Sequence, residues 1–196
     1  MGTMPGLRER KKEATRQALH EAALRLSIEH GLDNVTVEAI ADAAGVSRRT
    51  FSNYFGGKED AILYGDERRM SELLDHFAAR PPTESPWAAL HAAVDVMHER
   101  IGRRPDPEWA ARARLVKKHP SLAARQMAHY STMEQRLTRL IAQREEIPAS
   151  SPRPRVMAAA FLASLRIATI MWTENPSHSL HEIVHEVMDE YARPFR

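Results

Sequence analysis

The stretch Thr36–Lys58, TVEAIADAAGVSRRTFSNYFGGK, predicts two short helices joined by a tight turn. Apolar residues recur at helical spacing after Thr36, whose hydroxyl can accept a hydrogen bond from a free N–H group of the first turn. Gly45 ends this helix because glycine supplies the positive φ that such a turn needs. Ser47 then caps a second helix. The stretch therefore predicts a helix-turn-helix.

The second helix of this hairpin has an apolar side and a polar side. Thr50, Phe51 and Phe55 can face inward, which leaves hydrogen-bonding side chains pointing outward near its N-terminus. A helix-turn-helix places these residues nearest the base edges of the major groove, where Arg pairs with guanine and Asn with adenine. The outward residues are Arg48, Arg49, Ser52 and Asn53. The alternative interpretation is an ordinary helical hairpin with a solvated polar face.

The order and spacing of these residues resemble the DNA-binding signature of the TetR (tetracycline repressor-like) family. The match runs without a gap from about Arg16 to Leu63 and rests on Gly31, Thr36-Val37, Ile40-Ala41, Ala44-Gly45-Val46-Ser47, Thr50-Phe51, Tyr54-Phe55 and Lys58-Glu59.

The resemblance implies two kinds of contact with DNA. It implies that Thr36, Tyr54 and Lys58 touch the phosphate backbone, while the outward arginines and Asn53 approach the bases. The full predicted DNA-binding set is Thr36, Arg48, Arg49, Thr50, Ser52, Asn53, Tyr54 and Lys58.

Composition bounds the remaining possibilities. The chain has 196 residues, of which 43% are hydrophobic and 28% charged, as in an ordinary globular protein. Its net charge of +2 is small, so a nucleic-acid patch must be local. With no cysteine, disulfides and thiolate metal sites are excluded. No apolar run approaches the ~18 residues that a membrane helix needs, and the N-terminus is charged instead of signal-like, so we expect a cytoplasmic protein without membrane partners. We also expect no cofactor and no bound metal.

Helical periodicity continues along the chain and predicts an all-α fold of about nine helices. A helix from Leu7 to about His30 completes a three-helix DNA-binding domain, which we place at residues 1–58. A long helix from Lys58 to about Ala79 connects it to a larger effector-binding and dimerisation domain at residues 59–196. Further helices are predicted near residues 85–102, 108–119, 122–146, 155–173 and 179–191.

The last two helices are predicted to form a homodimer interface. The helix over residues 155–173 is apolar nearly all round, which indicates burial on more than one side. The resemblance implies that it and the final helix pair with their copies in a four-helix interface, so that two recognition helices read a palindromic operator. The predicted interface residues are Phe161, Leu162, Leu165, Trp172, Ile183, Val184 and Met188. A core helix in a monomer is the alternative.

The resemblance further implies a small-molecule effector that binds between the helices of the larger domain and releases the protein from DNA. We thus expect a transcriptional regulator, most simply a repressor, with the opposite regulatory sign, an activator of transcription, as the alternative. The predicted pocket residues are Met97, Ile101, Trp109, Met127, Met133, Phe161 and Arg166. Three arginines lie in otherwise apolar segments, and one of them can pair with an anionic ligand: Arg112, Arg114 or Arg166.

A competing motif is the H-E-x-x-H string at His181, Glu182 and His185. On a helix both histidines share one face and can bind Zn²⁺, while the glutamate can act as general base of a hydrolase. The extended metalloprotease pattern would need a glycine and a third histidine where Met188 and Tyr191 stand. Because a third ligand is missing from the sequence pattern, we expect no enzyme and keep zinc-dependent hydrolysis as the alternative.

Overall fold

The structure, a computed structural model, describes residues 6–101, 107–176 and 178–193, without the side chains of 101, 107 and 108. In this part of the chain all regular secondary structure is helical. The helices are α1 (Leu7–His30), α2 (Val37–Ala43), α3 (Arg48–Ser52), α4 (Lys58–Ala79), α5 (Pro86–Ile101), α6 (Pro107–Lys118), α7 (Pro120–Arg144), α8 (Pro152–Glu174) and α9 (Leu180–Tyr191), with a 3-10 turn at Leu32–Asn34. These nine α-helices confirm the predicted all-α class.

The ends of the hairpin helices form by the local chemistry that the sequence predicts. The Thr36 hydroxyl accepts a hydrogen bond from the Ala39 amide at 3.1 Å, and the Ser47 hydroxyl accepts from the Thr50 amide at 3.1 Å. Gly45 has φ +68° in the turn between α2 and α3, a conformation that an L side chain rarely adopts. Both predicted N-caps and the glycine turn are confirmed.

The chain divides into two compact units, each with its own core. The first unit contains the residues up to Asp66 together with Arg114–Gln126, and the second contains Glu67–Ala113 and the residues from Met127 onward. This division lies inside α4, α6 and α7 and differs from the predicted boundary after residue 58. The segment Arg114–Gln126 joins the first unit since its apolar side chains, among them Leu122, pack in that core.

The core of the first unit fixes the helix-turn-helix. Leu19 and Ala23 from α1, Ile40 from α2 and Phe51 from α3 are at most 1% exposed. Leu122 of α7 is fully buried in the same cluster. Because α3 has five residues and is too short to be stable alone, its orientation depends on this packing.

The core of the second unit is built around α8, which packs along α9. Phe161 and Ala168 of α8 are fully buried, as is Met188 of α9. By length and composition α8 is also apolar enough to cross a membrane, with a mean hydropathy of 1.6 over its best window. This finding corrects the expectation that no segment is apolar enough; Ser164, Arg166 and Thr169 interrupt the apolar run, but the average over the window is still high. The buried side of α8 supplies the core of the unit.

Candidate nucleic-acid interface

The recognition helix α3 is anchored on one side by aromatic packing. Phe51 is 1% exposed, and its ring centroid lies 5.8 Å from that of Phe55, which in turn lies 5.6 Å from Tyr64. On the opposite side Arg49, Ser52 and Asn53 are exposed. The structure thus brings these predicted base-reading residues together on one surface of a firmly held helix.

Arg48 belongs to the same exposed surface but has a partner that the sequence analysis did not anticipate. Its guanidinium Nη1 lies 2.9 Å from Glu38 Oε1 of α2, with the two side chains 71% and 52% exposed. An exposed pair of this kind contributes about 0–1 kcal/mol, so DNA phosphates can compete for the arginine. Glu38 therefore moderates the positive charge of the interface.

Lys58 is positioned differently from the role that the resemblance implies. Its ammonium donates hydrogen bonds to the carbonyl oxygens of Leu32 at 2.8 Å and Val35 at 3.0 Å. It thereby ties the start of α4 to the segment that precedes α2. One ammonium N–H remains beyond these two bonds, so a phosphate contact stays a prediction and the first role of Lys58 is structural.

The hydroxyls of Thr36 and Thr50 are also engaged within the motif. Thr36 caps α2, while the Thr50 hydroxyl lies 2.9 Å from that of Ser47. A hydroxyl has two acceptor lone pairs and one donor, so each can serve a cap and still contact a phosphate. Their predicted contacts with DNA stay predictions.

Tyr54 is part of a polar cluster that sequence reasoning missed. The guanidinium carbon of Arg16 lies 5.7 Å from the Tyr54 ring centroid and 5.5 Å from that of Tyr64. The Tyr64 hydroxyl donates to Glu13 Oε1 at 2.5 Å, and burial together with this carboxylate raises the pKa of Tyr64 to about 12. Glu13 and Arg16 are three residues apart on α1, a spacing that the sequence displays, whereas their aromatic partners come from the turn after α3 and from α4.

Two family models match the chain, one over its N-terminal part and one over its C-terminal part. The model described as bacterial regulatory proteins, tetR family, matches residues 19–63. A TetR C-terminal model, described as the MftR C-terminal domain, matches residues 84–196. The chain belongs to the TetR family. It is a DNA-binding transcriptional regulator and not an enzyme, so the hydrolase interpretation of the H-E-x-x-H string is set aside.

Curated relatives agree with this assignment. The transcriptional regulator TcmR of Streptomyces glaucescens is 35% identical over 177 residues, which cover 86% of this chain and 77% of TcmR. The putative mycofactocin biosynthesis transcriptional regulator MftR of Mycobacterium tuberculosis is 27% identical over 184 residues, with 92% and 90% of the two chains covered.

Solved structures show the same fold. The complex of SmeT with triclosan matches with a TM-score of 0.61 and 20% identity, over 90% of this chain and 89% of SmeT. FadR of Thermus thermophilus in complex with lauroyl-CoA matches with a TM-score of 0.57 and 22% identity, over 92% and 96% of the chains.

The residues predicted for an effector pocket in this TetR-family regulator separate into interior and surface positions. Met97 and Phe161 are buried, and Trp109 and Met133 pack against the core of the second unit. Trp109 also contacts Trp172, with ring centroids 4.8 Å apart. The side chain of Ile101 lies outside the described residues. The core of the second unit therefore contains four of the predicted pocket residues.

Two members of the predicted pocket lie at the surface. Met127 is 61% exposed, and Arg166 is exposed on the side of α8 that faces away from the core. A side chain in such a position cannot line an interior pocket, so both are removed from the set. Of the three arginines considered for an anionic ligand, Arg114 and Arg166 are exposed, whereas Arg112 of α6 is buried, at 2% exposed.

The predicted dimer residues lie in the core of their own subunit, which corrects their assignment. All except Leu165, which is partly buried against the core, are less than 9% exposed in the single chain: Phe161, Leu162, Trp172, Ile183, Val184 and Met188. Periodicity identified α8 as apolar on two sides, but it did not say which side the subunit itself covers. The exposed apolar residues of α8 are Val156, Ile170 and Met171, on the opposite side.

Proposed function

We propose that this TetR-family regulator is a cytoplasmic homodimeric repressor that binds a palindromic operator and is released by a small-molecule effector. The observation that carries the proposal is the exposed surface of α3. Arg49 and Asn53 offer the side chains best suited to read guanine and adenine, on a helix whose other side is buried. Base readout requires this combination, because a mobile helix would lose the discrimination that paired hydrogen bonds give.

The outward side of α8 supports the dimer. Val156, Ala163 and Ile170 follow one another seven residues apart, so they form a narrow stripe along the helix. Val156 is 66% exposed and Ile170 is 43% exposed in the single chain. The small Ala163 in the middle permits close approach of a second copy of the helix. We therefore move the proposed interface from the core residues to this stripe.

The effector site is proposed to lie in the second unit. The SmeT and FadR structures that share this fold hold triclosan and lauroyl-CoA, respectively; the lauroyl chain is apolar, and the CoA part carries negatively charged phosphates. In this chain Met97, Trp109 and Met133 supply apolar surface, and Arg112 supplies a buried cationic group. This set suits an apolar ligand with a negatively charged group. Release requires that the ligand bind one arrangement of the DNA-reading helices more tightly than the other.

Selection of random duplex DNA by the purified protein at about 150 mM salt tests the proposal, since non-specific phosphate binding weakens steeply with salt while base readout survives. The expected product is a palindrome with two half-sites. Arg49→Ala should reduce discrimination at a single base pair of each half-site by about 1–3 kcal/mol. Arg153→Ala, which removes an exposed arginine of α8 that is paired with Glu145, is the matched control. A folded protein that enriches no sequence would contradict the proposal.

A further inference from the structure

Three side chains from two helices of the second unit converge at one point. His181 Nε2 and His185 Nε2 of α9 lie 2.7 Å and 2.8 Å from the same oxygen, Oδ1 of Asp95 in α5. The two Nε2 atoms are 3.1 Å apart. His181 and His185 are both 25% exposed and Asp95 is 51% exposed, so the point of convergence is open to solvent on one side.

These three contacts cannot all be hydrogen bonds at once when Asp95 is ionised. A carboxylate oxygen only accepts, so each histidine must carry its proton on Nε2 to bond with Asp95. The 3.1 Å contact between the two Nε2 atoms then joins two donors. If one histidine instead accepts from the other, its bond to Asp95 is lost. A cation between the three atoms removes this conflict, because all three then present lone pairs to it.

The size of the triangle suits a transition-metal ion. Zinc bonds of about 2.0–2.2 Å in a tetrahedral site separate neighbouring ligand atoms by about 3.3 Å. The observed separations of 2.7, 2.8 and 3.1 Å are slightly smaller, so the distances between the three atoms need to increase by about 0.6 Å or less to admit the ion. Histidine spacing of four residues holds two ligands on one face of α9, while α5 supplies the third.

The neighbouring rings hold the two histidines in the orientation that a metal site requires. His185 Nδ1 lies 2.8 Å from His91 Nδ1, and His91 Nε2 lies 3.7 Å from Asp189 Oδ1. When His185 uses Nε2 as a ligand, its Nδ1–H can donate to His91. Such a partner for the remote nitrogen is typical of metal-bound histidine. The His181 ring stacks on His98 with centroids 4.2 Å apart.

We propose that His181, His185 and Asp95 bind a divalent first-row transition-metal ion, with zinc as the first candidate, and that this ion ties α9 to α5. Two imidazoles and one carboxylate suit zinc, cobalt, nickel and copper ions and disfavour magnesium and calcium, which prefer oxygen ligands. The remaining coordination positions are left to solvent or a small anion. Glu182 is exposed and lies on a different side of α9, so the site uses the two histidines of the H-E-x-x-H string without its glutamate. The proposal does not depend on the proposed dimer or effector.

Calorimetric titration of the untagged, chelator-treated full chain with Zn²⁺ tests the site, and Co²⁺ provides a visible absorption spectrum that reports coordination. We expect one ion per chain and a rise in the unfolding temperature of ~5–10 °C at 100 times the dissociation constant. Mg²⁺ should give neither effect. His91→Gln should weaken Zn²⁺ binding by about 10–100-fold, as loss of an outer partner does, and His185→Gln should weaken it further.

Two further variants make the test decisive. Asp95→Asn keeps the shape of the side chain but removes its charge, and it should weaken Zn²⁺ binding and change the Co²⁺ spectrum. Glu182→Gln, the matched control on the same turn of α9, should bind as the unaltered protein does. The proposal is overturned if the unaltered chain binds no Zn²⁺. It is equally overturned if the folded Asp95→Asn variant binds with unchanged affinity, which would indicate adventitious binding by the histidine pair alone.

Discussion

Replacement of Lys58 by methionine tests whether the lysine ammonium stabilises the fold or serves only to contact a DNA phosphate. The ammonium donates to the carbonyls of Leu32 and Val35, and each hydrogen bond from a charged donor contributes about 1.5–3 kcal/mol. The Leu32 carbonyl also accepts from the Val35 amide at 3.2 Å, so it keeps one partner when the lysine is lost. Methionine preserves most of the apolar stem. Allowing for the partial exposure of the site, we expect Lys58→Met to lower the free energy of unfolding by about 2–3 kcal/mol.

The chain offers two optical probes for this measurement. All three tryptophans, Trp87, Trp109 and Trp172, belong to the second unit, so their fluorescence reports that unit, while far-ultraviolet circular dichroism reports the helices of both. In denaturant titration, the dichroism signal of Lys58→Met should report the lower free energy of unfolding. Lys117→Met, which changes an exposed lysine of the first unit, should remain within about 0.5 kcal/mol of the unaltered protein. Equal stability of the two variants, with the slope of log affinity for DNA against log salt reduced by about 0.9 in Lys58→Met alone, would refute the structural role.

Four further changes test the DNA-binding unit and the proposed interface. Gly45→Ala forces a side chain to φ +68° and should destabilise the protein by about 1–2 kcal/mol in denaturant titration, although a Cβ there meets no atom within 4 Å. Glu38→Gln frees Arg48 and should raise non-specific DNA affinity most at low salt, measured by fluorescence anisotropy. Tyr64→Phe should remove the tyrosine that titrates near pH 12 in ultraviolet titration. Because the pKa of Tyr64 in the folded protein is raised above the ordinary value of 10.0, its contribution to the free energy of unfolding is present below pH 10 and is lost as the pH rises toward 12. Ile170→Asp should shift the protein from dimer to monomer in analytical ultracentrifugation, since the symmetric interface would contain the charge twice.

Much of the first unit follows from local chemistry in the sequence. Thr36 and Ser47 cap the helices that follow them, and Gly45 takes the positive φ of the turn, because each of these outcomes depends on a few adjacent residues. The exposed side of α3 follows in the same way once Phe51 is assigned to the core. Helix spans were likewise predictable to within a few residues, since apolar periodicity and proline breaks mark them.

Contacts between distant segments were not predictable from one sequence. The family resemblance predicts that Lys58 contacts a DNA phosphate. In the structure its ammonium donates hydrogen bonds to the carbonyls of Leu32 and Val35, more than twenty residues earlier in the chain. A carbonyl acceptor has no side-chain signature, so no pattern of residues reveals it. Similarly, the H-E-x-x-H string showed two histidines on one face of a helix, but it could not show that Asp95 of α5 lies within 2.8 Å of both.

The two apolar sides of α8 have different roles, and periodicity alone does not tell which side packs in the core of the same chain. The helix is apolar nearly all round, and the sequence analysis assigned its largest residues to the partner subunit. Large side chains gain more free energy when buried, by about 25 cal/mol for each Å² removed from water, and the subunit core forms whether or not a partner is present. Phe161 and Trp172 are accordingly 0% and 3% exposed within one chain. The side left outward carries alanines with Val156 and Ile170, residues that a monomer tolerates at its surface and that would also allow a second copy of the helix to approach closely. The smaller residues of such a helix are therefore the better guide to where a second copy binds.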